Sequence, residues 1–259
     1  MNNETNKPAL AVKNLTKSFG GVKAIHNVTI SLAEGKSRVL IGPNGAGKTT
    51  LFNLITGEIP MDSGEICLFG ENISQSSIQT RSNLGLARTY QISNLFKEMT
   101  VEENLFLSLA GGQWEDKDKK IVFLHNWKTY KKRVARINEV AESVALENKL
   151  RTTVSSLSHG EQRQLELGMA LAPNPKVILF DEPLAGLSPQ ERKFMGELVR
   201  RLAQEKIALI IEHDMDFALS ITENVTVLNH GVIVAEGSPQ EIKNNPEVHK
   251  IYKLTGNQA

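Results

Sequence analysis

Gly42-Pro43-Asn44-Gly45-Ala46-Gly47-Lys48-Thr49 fits the pattern G-x-x-x-x-G-K-[ST] in full, and its reading decides the fold. Glycines at 45 and 47 let the backbone curl so that successive N–H groups face phosphate oxygens. Ahead of the loop, Ser37-Arg38-Val39-Leu40-Ile41 is a compact apolar run that reads as a buried strand. Behind it, a helix reads from Lys48 through Ile55, with Gly57 placed as its C-terminal cap. Such a helix aims its positive end at the bound phosphates. Lys48 has the length to reach the β- and γ-phosphates, and the Thr49 hydroxyl suits Mg²⁺. The nucleotide contacts read from this stretch are Asn44, Gly45, Ala46, Gly47, Lys48, Thr49 and Thr50.

The elements downstream complete a phosphate-handling edge. Val177 to Phe180 is a continuous apolar run followed by Asp181 and Glu182. A buried strand that delivers a carboxylate to the sheet edge is what a Mg²⁺ site beside the loop requires, which assigns Asp181 to the metal. Glu182 follows directly and is placed to polarise an attacking water. Ile207 to Ile211 is a second covered strand and ends near His213. Neighbouring parallel strands share one C-terminal edge, so His213 is a candidate polar sensor of the γ-phosphate. A helix around Pro189 to Gln204 joins the two strands.

Working outward, Ala9 to Leu32 shows the alternation of half-buried antiparallel strands, and Glu65 to Phe69 reads as another strand. The middle, from about Leu95 to Gly168, reads mainly as helix. Within it Val134, Ile137, Val140, Ala141 and Val144 recur at helical spacing between Lys131 and Leu150. Gly111 to Lys120 reads as an exposed loop, and residues 1–8 as a disordered lead-in. Asn229-His230-Gly231 reads as a hairpin turn, and the tail from Pro239 as helix broken at Pro246. No repeat is visible.

With 30 Lys and Arg against 29 Asp and Glu, the chain has no global electrostatic reason to bind nucleic acid, and none is expected as a partner. A hydrophobic content of 40% and a mean hydropathy of -0.24 describe an ordinary globular chain. No stretch approaches the ~18 apolar residues of a membrane span, and the polar start does not read as a secretory signal. The one cysteine, Cys67, excludes an internal disulfide.

Leu157-Ser158-His159-Gly160-Glu161-Gln162 opens a helix, and Ser158 with Glu161 makes an S-x-x-E capping box. The same segment resembles the L-S-G-G-Q signature of ABC ATPases, and it lies between the phosphate loop and the Asp181 strand, as in that family. Gln91, in Arg88-Thr89-Tyr90-Gln91, has no assignment from its own residues but stands in the family's order with the other elements. The run Phe96 to Leu105 and Ile211-Glu212-His213-Asp214-Met215 are similar to LivG-type subunits of branched-chain amino acid importers, and so is the tail Glu241 to Pro246.

That resemblance implies a P-loop NTPase of α/β class: a RecA-like parallel core, an N-terminal antiparallel β subdomain and an inserted α-helical subdomain at about 95–168. It implies an ATPase domain over 9–238 and a helical tail over 239–259. Phe19 matches the aromatic that stacks on adenine, and Gln91 the glutamine that joins the γ-phosphate and Mg²⁺ to the membrane domains. Glu182 matches the catalytic glutamate and His213 the switch histidine, with Lys48 serving the reaction beside them. Ser158, Gly160 and Glu161 would contact ATP held by a second ATP-binding subunit. Permeases would dock near Gln91 to Phe96 at the cytoplasmic face of the membrane, with an extracytoplasmic binding protein beyond. Other expectations in the same family are a urea or amide importer, a lipopolysaccharide-type exporter, or an ABC ATPase without a membrane partner; a P-loop kinase lacks the signature. Two departures stand out: His159 and Glu161 replace glycine and glutamine, and Ser188 replaces the aspartate of many relatives.

Overall fold

The computed structural model describes residues 8–90, 95–110 and 131–256. Two strands, β1 (Leu10–Phe19) and β2 (Val22–Leu32), form an antiparallel pair with Leu10 opposite Leu32. Next, β3 (Arg38–Ile41) runs into the glycine-rich loop and α1 (Lys48–Thr56). Then come β4 (Ser63–Leu68), β5 (Glu71–Asn72), α2 (Ile78–Asn83) and β6 (Leu86–Arg88). Among the described residues there follow α3 (Val101–Ala110), α4 (Lys131–Ser143) and α5 (His159–Leu171). The chain then alternates through β7 (Val177–Asp181), α6 (Pro189–Glu205), β8 (Ile207–Ile211), α7 (Met215–Ile221) and β9 (Val225–Asn229). It finishes with β10 (Val232–Gly237), α8 (Pro239–Lys243) and α9 (Pro246–Gly256).

The strands sort into two sheets, β2-β1-β4-β5 and β10-β9-β3-β8-β7-β6. The first is antiparallel, and the second is parallel from β9 to β6 with β10 added antiparallel. Because strand side chains alternate, each central strand feeds two cores. Val39, Ile41, Ile178, Phe180, Ala208 and Ile210 join the core that includes α3 to α6. Leu40, Val177, Leu179, Ile207, Leu209 and Ile211 join the one shared with α1 and the antiparallel sheet. This is why the apolar runs are continuous rather than alternating. All of these strands end at one edge, where the glycine-rich loop and the acids sit.

The expected alternation over Ala9 to Leu32 is the β1–β2 pair, and Gly57 caps α1 at φ 83, donating to Asn53 and Leu54 carbonyls. His230 and Gly231 both have positive φ, 47 and 76, as a two-residue primed hairpin turn demands. The helical periodicity expected toward Leu150 stops at Ser143, because Ala145 takes φ 56 and turns the chain into a short 3-10 segment at Glu147–Lys149. The strand expected to Phe69 stops at Leu68, since Phe69 enters the turn at φ 50. The tail packs on the main core through Ile242 and Val248. Its Tyr252 phenol is pushed up to about 12 by burial and accepts a hydrogen bond from the Gly42 amide. Residues 1–7 and the loop expected at 111–120 lie outside the described residues. Among the described residues, no helix is long and apolar enough to cross a membrane.

Candidate functional site

The loop between β3 and α1 is clamped from behind by other strands. A Cβ on Gly42 would collide with the Leu228 carbonyl oxygen, and one on Gly47 would lie 2.5 Å from that of Ala24. With φ 105, Gly47 is also in a region closed to most side chains. The Gly231 amide of the β9–β10 turn donates to Ala46 O at 2.9 Å. These glycines therefore serve the packing of the cradle as much as its concave face.

Gly47 is the N-cap of α1, and no side chain caps this helix. The contrast with α5 and α8 is direct, since Ser158 and Ser238 cap those with complete boxes. The first amides of α1 are left for an anion, which the helix dipole also favours. Lys48 Nζ bonds Gly42 O at 2.7 Å and Pro43 O at 3.0 Å. Burial pulls its pKa down, against the opposing pull of the Glu182 and Asp181 carboxylates. Asn44, Gly45 and Thr49 are exposed, Thr50 is half-buried and Ala46 is buried. Phe19, at the end of β1, exposes about half its ring (49%), with Lys17 Nζ 5.4 Å from the ring centre.

Asp181 closes β7 and is buried. Its N–H donates to Thr89 Oγ1 at 3.1 Å, and its Oδ2 accepts from Arg88 Nη2 at 2.6 Å. Oδ1 is buried with no hydrogen-bond partner among the described residues. Burial raises the Asp181 pKa, and Arg88 opposes that rise. A hydroxyl at Thr49 and one unshared carboxylate oxygen suit a hard cation that keeps waters and phosphate oxygens as its other ligands. These residues fit Mg²⁺.

Glu182 follows at φ 49, an uncommon conformation for a residue with a Cβ, held by its N–H to Ile211 O at 3.0 Å. Its Oε1 meets His213 Nε2 at 2.5 Å. The histidine that in sequence is only a residue past a strand end is thus in contact with the neighbouring strand's glutamate. Immediately before His213 stands the buried Glu212, to which sequence reasoning gave no role. Its carboxylate takes the Leu184 and His213 amides at 3.3 and 3.1 Å. Burial pushes it up to about 7, with the Glu182 charge adding to the rise and backbone N–H donors opposing it.

That shift has a definite sign for stability. Between the unfolded value of about 4.5 and about 7, the folded chain holds the proton more tightly, so stability falls as pH rises through this window. The full loss is roughly 3 kcal/mol, at 1.36 kcal/mol per pKa unit. Glu212→Gln should flatten the slope of unfolding temperature against pH between 5 and 7; an unaltered slope would assign the effect elsewhere.

The signature helix α5 begins as expected. Ser158 Oγ accepts from Glu161 N at 3.2 Å, and Glu161 Oε2 accepts from Ser158 N at 2.8 Å. The other Glu161 oxygen faces Lys149 Nζ at 3.2 Å, so this carboxylate is turned back on its own helix end. A second carboxylate, missed in the sequence, comes from α6: Glu191 Oε1 accepts from the Gly160 amide at 2.9 Å. Its Oε2 holds the Ser188 N–H and hydroxyl at 3.0 and 2.7 Å. The S-x-x-E spacing of Ser188 and Glu191, the same as that of Ser158 and Glu161, was the available signal. A Cβ on Gly160 would lie 2.6 Å from Glu191 Oε1, so any side chain there would have to displace this carboxylate. No described hydrogen bond joins Ser158, Gly160 or Glu161 to the loop at 42–50.

Gln91 and Ile92 to Asn94 lie outside the described residues. On either side of them, Tyr90 and Leu95 line an apolar groove of about 220 Å³ with Met169 and Ala170 of α5. Phe96 is exposed beside it.

Comparison with known proteins matches residues 25–185 to the ABC transporter family. The high-affinity branched-chain amino acid transport ATP-binding protein LivG of Salmonella typhimurium is 36% identical over 252 residues, covering 95% of this chain and 98% of that protein. The corresponding protein BraF of Pseudomonas aeruginosa is 35% identical over the same shares. The crystal structure of the ADP conformation of MJ1267, an ATP-binding cassette of an ABC transporter, superposes with a TM-score of 0.83 at 32% identity, covering 95% and 98% of the two chains.

Proposed function

The chain belongs to the ABC transporter family, and from that premise we propose that it is the ATP-hydrolysing motor of an importer for branched-chain amino acids. The ATPase activity follows from the family; the amino-acid cargo is carried over from the relatives. One observation carries the reading. The uncapped start of α1, Lys48, Asp181 and the Glu182–His213 contact lie at the C-terminal edge of neighbouring parallel strands β3, β7 and β8.

In this reading Asn44 to Thr50 cradle the triphosphate, Lys48 holds its β- and γ-oxygens, and Phe19 stacks on adenine. Thr49, Gln91 and Asp181 hold Mg²⁺, which neutralises charge on the phosphates when bound. Glu182 takes the proton of the attacking water, and His213 fixes the carboxylate's direction. Ser158, Gly160 and Glu161 of a second subunit close over the γ-phosphate, a role left to another chain because none of their described hydrogen bonds reaches the loop of their own. Glu161 then works through the helix end it caps, not by touching phosphate. ATP binding draws the pair together and hydrolysis releases it, so the partners' equilibrium follows nucleotide state.

Permease subunits dock at the groove beside Tyr90 and Leu95, on the cytoplasmic face of the membrane. An extracytoplasmic binding protein supplies the substrate. Residues 9–238 form the ATPase domain with its helical part at about 95–168, and 239–259 a tail.

Cells whose only copy carries Lys48→Ala should lose ATP-dependent uptake of labelled leucine, isoleucine and valine. Losing two charge-assisted contacts of ~1.5–3 kcal/mol each predicts ATP affinity weaker by at least ~100-fold. Unchanged uptake of all three would remove the cargo assignment; unchanged ATP affinity would remove the cradle assignment.

A further inference from the structure

Arg88 stands at the end of β6, and nothing in the motifs calls for an arginine there. Its two terminal nitrogens are nonetheless both bonded at the site, while Nε is buried with no hydrogen-bond partner among the described residues. Nη2 pairs with Asp181 Oδ2 at 2.6 Å, with only 5% and 2% of the two side chains exposed. Nη1 reaches in the other direction, to Asn53 Oδ1 at 2.6 Å and Glu58 Oε1 at 3.0 Å. The guanidinium also lies 5.6 and 5.1 Å from the ring centres of Phe52 and Tyr90. Asn53 belongs to α1, the helix that follows the phosphate loop, so one side chain ties β7's carboxylate to the cradle's own helix.

The consequence lies in what each oxygen of Asp181 does. One is occupied by Arg88, while the other, Oδ1, is buried and has no hydrogen-bond partner among the described residues. A carboxylate with a single tethered oxygen cannot rotate without breaking a buried charge-assisted bond.

We propose that Arg88 is a positioning residue for Mg²⁺: by holding Asp181 Oδ2 while bonding Asn53 of α1, it fixes the carboxylate's orientation and leaves Oδ1 as the oxygen free for the metal. The inference rests on the nucleotide reading above. It assigns Arg88 no contact with the substrate.

The test is titration of Mg²⁺ against a fluorescent ATP analogue on the purified chain, with a parallel affinity measurement in EDTA. Arg88→Ala should raise the Mg²⁺ concentration for half-maximal effect at least tenfold while leaving the EDTA affinity within twofold of the unsubstituted chain. Arg88→Lys keeps a charge but cannot span Asp181, Asn53 and Glu58 together, so its shift should be smaller and in the same direction. If the alanine variant does not fold, the lysine variant carries the test. A Mg²⁺ midpoint unchanged in a folded variant, or an EDTA affinity that falls as much as the Mg²⁺-dependent one, overturns the proposal and leaves a purely structural ion pair. No nucleotide binding by the unsubstituted chain would instead bring down the nucleotide reading, and this proposal with it.

Discussion

Glu182→Gln should slow ATP turnover by about 10²–10⁴-fold while leaving ATP affinity nearly unchanged. The substitution is close to isosteric, and the amide oxygen still offers His213 Nε2 an acceptor where Oε1 now stands at 2.5 Å. The backbone at φ 49, held by the Ile211 carbonyl, continues to aim the side chain. What is lost is the ability to accept a proton from water. Binding relies on the loop amides and Lys48, which the change does not touch. Phosphate release in a single turnover, set beside equilibrium binding of ATP, separates the two effects. Stalled before hydrolysis, the variant should also accumulate as a stable pair on size-exclusion chromatography with ATP and Mg²⁺. Turnover at the ordinary rate would remove Glu182 from the base role.

Gly160→Asp should abolish turnover for a different reason. A Cβ there meets Glu191 Oε1 at 2.6 Å, and a new carboxylate would face both Glu191 and an incoming γ-phosphate. Like-charge juxtaposition of this kind costs several kcal/mol, which corresponds to about 10²–10³-fold or more in assembly of the closed pair. ATP binding to the single chain should persist, because no described hydrogen bond of the signature reaches the loop at 42–50. Mixing this variant with Lys48→Ala is decisive. One of the two sites in such a mixed pair combines an intact loop from one chain with an intact signature from the other. Activity should therefore reappear in the mixture while each variant alone stays inactive. A mixture as dead as its components would rule out the shared site.

The contrast between these two experiments shows which parts of the site were legible before any contact was known. The loop at 42–49 announces itself through residue types whose purpose is local: glycines for curvature and Lys48 at a helix start. Strands β7 and β8 are legible because double-sided burial leaves unbroken apolar runs. The capping box at Ser158 is legible because both of its partners lie within four residues. By contrast β6 and α2, three and six residues long, carry too little sequence to display a period. Ala145 gives no sign that it ends a helical pattern, since alanine is an ordinary helix former, yet it takes a positive φ between the buried Val144 and Leu146.

The amino-acid sequence thus determined the phosphate cradle, the class of fold and the order of the reactive groups, since each is written in neighbouring residues. Tertiary structure alone decided who touches whom: His213 with Glu182, Glu191 with Gly160 and Arg88 with Asp181 are pairs 31, 31 and 93 positions apart. Strand order and helix packing bring such groups together, and a periodicity that spans a few residues contains no information about them.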